Sequence, residues 1–214
     1  MDIKESIEAT KRGFEESFKE GNYYNKQTQD YKHLNKILDK VTLNDGMKLL
    51  DLGTGSGYLA FEAAKRNRNV YIIGLDIVEE ALKSNRKKAK EDNIHNIDFI
   101  TYDGLKFPFE DNTFDYITAR YCIHHFPAIE ETFKEVSRVL KSGGILFISD
   151  PVPNEIDTTR FVDEYMKMKK DGAKELPEIL KRHDSKIIES YNMNITENDI
   201  YLTEQVINVL FQKK

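Results

Sequence analysis

One cysteine, no tryptophan and five prolines among 214 residues leave this chain few specialised devices. A lone Cys122 cannot close an internal disulfide and excludes a multi-cysteine zinc or arsenic site; it fits a reducing compartment. No apolar run approaches the roughly 18 residues that a membrane-crossing helix needs. The opening residues, Met1-Asp2-Ile3-Lys4-Glu5, are charged and lack the apolar core of a secretion signal, which points to the cytoplasm. A net charge of −5 argues against a nucleic-acid partner held mainly through its phosphates. With 39% hydrophobic and 32% charged residues, the chain has a globular composition and the length of one domain.

What is present is organised around Leu49-Leu50-Asp51-Leu52-Gly53-Thr54-Gly55-Ser56-Gly57. An apolar run meets an acid, then three glycines at alternate positions, then a helical pattern. That is a strand, a tight turn and a helix start, and glycine permits positive φ in such a turn. Amides at the helix N-terminus favour negative or polar ligand groups. Ahead of it, the periodicity predicts helices over residues 3–20 and 29–41. After it, strands are expected at 48–52, 70–76, 97–102, 114–119 and 145–149. Helices at 56–66, 79–92 and 129–140 separate them, apart from a loop between the third and fourth strands. Strands alternating with helices imply a parallel sheet with right-handed crossovers. Residues 158–170 and 175–181 read as helical. Residues 187–193 and 201–211 read as strands with no room for a crossover helix, hence an antiparallel pair.

An open parallel sheet binds ligands at the carboxyl ends of its strands. Those ends carry the glycine loop, Asp76, Asp103-Gly104, Arg120 with His124-His125-Phe126, and Asp150. Asp76, 23 residues beyond Gly53, can accept two hydrogen bonds from a ribose diol. Asp103 can accept from an adenine amino group on the same edge. Taken one at a time, a helix cap for Asp76 and a turn residue for Asp103 explain each acid equally well; together, at successive strand ends, they describe a nucleoside pocket. The pattern is G-x-G-x-G without the third glycine of a dinucleotide fingerprint, and no Walker lysine follows. An adenosine ligand without a pyrophosphate fits better.

These residues, with Gly74-Leu75-Asp76, Asp115-Tyr116-Ile117 and Arg138-Val139-Leu140-Lys141-Ser142-Gly143-Gly144, resemble the class I S-adenosylmethionine-dependent methyltransferases. Within them the chain is most similar to the small-molecule branch that includes the ubiquinone/menaquinone and sarcosine-type enzymes. The resemblance covers about residues 46–150. It implies an α/β fold: a Rossmann-like, doubly wound, mostly parallel seven-stranded sheet with an antiparallel final strand and helices on both faces. The chain is read as one domain, with residues 1–42 as a helical cap, 46–150 as the cofactor-binding core, 151–186 as a helical segment on the substrate side and 187–214 as the closing pair; the resemblance itself bears on the core and the closing pair. The cofactor would be S-adenosylmethionine, with S-adenosylhomocysteine as product and no metal.

Position by position, the resemblance gives Gly53, Thr54, Gly55 and Gly57 to the methionine part, with Asp51 at its amino group. Asp76 would hold the ribose and Ile77 would pack on adenine. Asp103 would meet the adenine amino group beside the Gly104 and Leu105 amides. Arg120 would border the methionine chain, and Tyr24, with Tyr23 close behind, would cap its carboxylate. His125, paired with one of these tyrosines, is the candidate base; a structural role after the fourth strand is the competing reading. His124 is expected to face solvent or to stand at the pocket rim. The adjacent histidines are not at i, i+4, so no metal is expected from them. The acceptor is expected to be a small molecule, met by residues 1–31 and 151–175, with no nucleic acid, no membrane, and a monomer or homodimer. The rivals are an RNA methyltransferase, for which the chain lacks an Asn/Asp-Pro-Pro-aromatic run, and a non-catalytic cofactor-binding module.

Overall fold

The computed structural model describes residues 2–21, 29–151, 193–194, 200–203 and 206–213. Helix α1 (Ile3–Lys19) begins where sequence chemistry puts it: the Asp2 carboxylate accepts from the Glu5 amide and the Glu5 carboxylate accepts from the Asp2 amide, both at 2.9 Å. Helix α2 (Tyr31–Lys40) is capped by Asp30 and buries Leu34, Ile37 and Leu38 along with His33. The chain then alternates: β1 (Lys48–Leu52), α3 (Tyr58–Arg66), β2 (Tyr71–Asp76), α4 (Glu79–Glu91), β3 (Ile97–Thr101), β4 (Phe114–Arg120), α5 (Ile129–Val139) and β5 (Leu140–Pro151). Three strands follow, the short β6 (Met193–Asn194) and β7 (Ile200–Thr203) and the longer β8 (Val206–Lys213).

All of these strands join one sheet, in the order β3-β2-β1-β4-β5-β8-β6, with β7 also paired to β8. The first five run parallel and β8 runs antiparallel to β5. Strand order reverses between β1 and β4, which places the ends of β1, β2 and β4 around one crevice. The expected count of seven strands is corrected: the described residues form eight. The run expected as one strand over 201–211 is a hairpin, with Thr203 opposite Val206. Thr203-Glu204-Gln205-Val206 contains none of the glycine or asparagine that marks a tight hairpin turn, so the reversal left no trace in the sequence. Of the strand expected at 187–193, only Met193 lies among the described residues, and the helices expected at 158–170 and 175–181 lie outside them, as do Tyr23 and Tyr24. Strand β5 also starts earlier than expected: Leu140 pairs Phe114, and a shift follows before Ile145 pairs Tyr116.

Successive strand residues feed two cores, one on each face of the sheet. Leu50, Leu52, Ile73, Leu75, Ile117 and Leu146 pack with Phe133, Val136 and Val139 of α5. Leu49, Ile72, Phe99 and Phe147 pack against α2, α3 and α4 on the opposite face. Strands buried on both sides explain the near-continuous apolar runs of β1 and β2. At the β3 edge, the outward peptide of Phe99 is already satisfied: its N–H donates to the Asp98 carboxylate at 2.7 Å and its carbonyl accepts from Arg86 at 2.6 Å.

Gly74 in β2 has no room for a side chain. A Cβ there would lie 2.6 Å from the Phe99 ring and 2.8 Å from Thr54 Cγ2. Gly74→Ala should therefore lower stability by about 1–3 kcal/mol in urea unfolding. Gly13→Ala, in helix α1 with open space around it, should instead gain up to about 1 kcal/mol.

Candidate functional site

The site grows from the turn after β1. Gly53, Gly55 and Gly57 all have positive φ (66°, 49° and 76°), so this path is open to glycine and strained for other residues. The Gly53 and Thr54 amides both donate to the Leu75 carbonyl, at 2.8 and 3.1 Å. The Asp76 carboxylate accepts from Gly55 N at 2.8 Å and from Val78 N at 3.0 Å, while Asn85 donates to the Gly55 carbonyl at 2.7 Å. Asp76 is buried, and that burial raises its pKa against the pull of these amides. The missing Cβ of Gly53 makes room for Cys122, whose Cβ would lie only 2.6 Å away, so this glycine serves internal packing. Cys122 is buried as expected, with its thiol donating to the Leu52 carbonyl at 3.2 Å.

On one side of the loop lies a small polar cavity of about 420 Å³, measured to its open mouth and lined by Asp51, Thr54, Ser56, Tyr58, Arg120 and Tyr121 among others. Asp51 accepts from the hydroxyls of Thr54 (2.7 Å) and Thr118 (3.0 Å). Burial nonetheless pushes its pKa up to about 6. Arg120, at the end of β4, supplies the opposite charge; burial lowers its pKa. Tyr121 takes the left-handed backbone conformation, φ 55°, which is costly for an aromatic residue. The Ser56 hydroxyl is buried and has no hydrogen-bond partner among the described residues.

On the other side is a mostly apolar cleft of about 660 Å³, again measured to its mouth. Asp76, Ile77, Gly104, Cys122, His125 and Phe126 line it, and Ile7, Thr10 and Phe14 of α1 form its outer wall. A Cβ on Gly104 would meet Ile7 at 2.7 Å, so this glycine lets α1 approach. The two cavities share Gly53 and Tyr121. His125 packs edge-on against Phe14 at 4.9 Å, and removal from water, with the neighbouring His124, pushes its pKa down to about 4. His124 is partly exposed and lies against the cleft-lining His125, with ring centroids 3.8 Å apart. Its Nδ1 lies 2.9 Å from Asp150 Oδ1 and its amide donates to Oδ2 at 3.0 Å. Asp150 is correspondingly buried, with its pKa raised by that burial.

The structure thus brings together Asp51, Gly53, Thr54, Gly55, Asp76, Ile77, Gly104, Arg120 and His125. Gly57 stands outside both linings, where an added Cβ would crowd Phe61 at 3.0 Å and Asn85 at 3.2 Å. Asp103 is exposed and stands outside both linings, as does Leu105; its Oδ1 accepts from the Leu105 and Lys106 amides at 2.9 and 2.8 Å and stiffens that turn. Tyr24 lies outside the described residues. Sequence reasoning missed Ser56, Tyr121 and His33, whereas Ile7, Thr10 and Phe14 of the cleft wall fall within the residues 1–31 expected to meet the acceptor. Ser56 sat inside the quoted glycine loop and was the one of these with a local signal.

The donors and acceptors fit an adenosine bearing an amino acid. Each Asp76 oxygen keeps a second lone pair for a ribose hydroxyl. The polar cavity offers an acid, a guanidinium and an orphaned hydroxyl together. Among the described residues no group of three potential metal ligands is found, and no helix is long and apolar enough to cross a membrane.

Comparison with known proteins agrees with this geometry. Residues 43–206 match a family model described as a methyltransferase domain. The chain is 32% identical over 112 residues to a demethylmenaquinone methyltransferase of Staphylococcus saprophyticus, covering 52% of this chain and 47% of that one. It is 40% identical over 106 residues to the ubiquinone/menaquinone biosynthesis C-methyltransferase UbiE of Rickettsia prowazekii, covering 47% and 43%. It spans about half the length of these curated relatives. In fold it is similar to a SAM-dependent methyltransferase from Aquifex aeolicus, with a TM-score of 0.65 at 21% identity over 85% of this chain and 89% of that one. With the family model matching most of its length and the glycine loop and Asp76 facing one crevice, the chain belongs to the class I S-adenosylmethionine-dependent methyltransferases.

Proposed function

We propose that this chain transfers a methyl group from S-adenosylmethionine to a small-molecule acceptor. One observation carries the reading: an apolar cleft containing Asp76 and a polar cavity containing Asp51 and Arg120 meet at Gly53 and Tyr121. A molecule that is a nucleoside at one end and a zwitterion at the other has the same division. Asp76 holds the ribose hydroxyls, and Ile77 packs on adenine with the Gly104 and Leu105 amides nearby. Asp103 is assigned to the adenine amino group on family resemblance alone; it stands outside the cleft lining and fixes the turn that follows it. Asp51 takes the ammonium, and Arg120 and the Ser56 hydroxyl take the carboxylate. Tyr24 is assigned to the carboxylate as well, on family resemblance alone.

Bound in this way, the cofactor supplies an electrophilic methyl on a sulfonium whose charge is lost as sulfur leaves. The protein's work is mainly placement of the acceptor for an in-line displacement, which contributes several kcal/mol. Phe14, Ile77 and Phe126 offer apolar walls that do not solvate a charge. His125 lines this cleft and, with its pKa near 4, is neutral at pH 7, so it has a lone pair for an acceptor proton. The names of the similar curated enzymes support a quinol-like or other small acceptor.

The decisive experiment is a panel of amines, phenols, thiols and quinols assayed for S-adenosylhomocysteine release. Turnover with one class supports the reading, whereas cofactor binding with no release from any class makes the chain a binding module. Asp76→Ala should weaken cofactor affinity tenfold or more by calorimetry, because charged hydrogen bonds contribute about 1.5–3 kcal/mol each. Affinity should also fall as pH drops through about 6, because Asp51 is charged above that value and neutral below it, and an ammonium needs the charged form. Well below pH 6 the loss approaches about tenfold per pH unit, and Asp51→Asn should flatten the profile. His125→Ala should lower turnover and leave cofactor affinity nearly unchanged.

A further inference from the structure

The buried face of α2 contains one polar ring among aliphatic side chains. His33 is 8% exposed and sits beside Leu34, Ile37 and Leu38, yet its two nitrogens face polar groups of the sheet. Arg120 Nε donates to His33 Nδ1 at 3.3 Å, and the Tyr121 hydroxyl lies 3.2 Å from the same nitrogen. Arginine can only donate, so Nδ1 must be the acceptor and the ring proton sits on Nε2. That nitrogen faces Ser149 Oγ at 3.2 Å, and Ser149 Oγ donates to Asn208 Oδ1 at 2.8 Å. Ser149 and Asn208 are 1% and 0% exposed. The result is a directed chain through the interior, from Arg120 on β4 through α2 and β5 to β8.

We propose that His33 is a positioning residue for the amino-acid end of the cofactor, acting by fixing the two cavity-lining side chains Arg120 and Tyr121. This rests on the cofactor reading given above. Three observations converge on it. The ring contacts both residues through one nitrogen, and both line the polar cavity opposite Asp51. Tyr121 is held in a strained conformation, with its amide donating to the Ser149 carbonyl at 2.8 Å, so the same serine fixes backbone and imidazole. A well-packed apolar residue on α2 would fill the layer at less desolvation cost, so the network earns its place by orientation rather than by stability. Burial and Arg120 hold His33 at a pKa of about 4, and the neutral ring keeps its acceptor lone pair through the ordinary pH range.

The test compares two ligands by calorimetry on the full chain. S-adenosylhomocysteine carries the amino-acid tail, and 5′-methylthioadenosine shares the adenosine and sulfur without it. His33→Leu should weaken S-adenosylhomocysteine about tenfold and leave methylthioadenosine within about twofold. His33→Asn, whose amide oxygen lies as many bonds from the backbone as Nδ1 does, should recover most of the loss. If His33→Leu fails to fold, Ser149→Ala tests the same chain and should give a smaller loss confined to the ligand with the tail. An equal loss for both ligands, or no loss for either, overturns the assignment of His33 alone. Failure of the unmodified protein to bind either ligand overturns the cofactor reading itself, and this inference with it.

Discussion

The Asp76 carboxylate is the tie on which the site depends. One of its oxygens draws in the Gly55 amide from the turn after β1, and the other draws in Val78 at the start of α4. Two βα turns are thereby fixed to one buried acid. Asn85 then secures the far side of the glycine loop, and Gly74 leaves the space in which Thr54 and Phe99 meet behind it. Because β1 and β2 pair in parallel with Asp51 beside Gly74, the same arrangement sets Asp51 and its two threonine donors at the base of the polar cavity.

That arrangement is not the most stable one available. Asp51 and Asp76 both have raised pKa values from burial, and Asp150 joins them. For Asp51 the direction of the effect follows from linkage. Below the ordinary carboxylate range it is protonated whether the chain is folded or not. As pH climbs from roughly 4 through about 6, the unfolded chain ionises it more readily than the ligand-free fold, and stability declines. A cationic ligand group beside the acid reverses that loss. Such acids mark places where the fold is arranged for binding rather than for its own cohesion.

The parts of this plan carried by short-range pattern were legible in the sequence. Strands β1 to β4 and helices α1 to α5 follow from apolar periodicity, and the glycine loop and Asp76 from their spacing. What was not legible arises from long-range juxtaposition. His33 and Arg120 are 87 positions apart, and His124 and Asp150 are 26 apart. A histidine in an amphipathic helix reads the same whether it packs blandly or organises an arginine. Nothing near His124 in sequence announced the buried carboxylate that holds it. The closing hairpin was missed for a different reason, the lack of any turn residue between its two arms.

The outer margin of β3 bears on how copies of this chain meet one another. An open sheet edge normally offers a ladder of unused amides and carbonyls on which a neighbouring molecule can stack its own backbone. Here Asp98 and Arg86 occupy the peptide groups at the middle of that ladder. Cross-molecule continuation of the sheet at β3, the first step toward a fibril, meets side chains already in place at the middle of that edge.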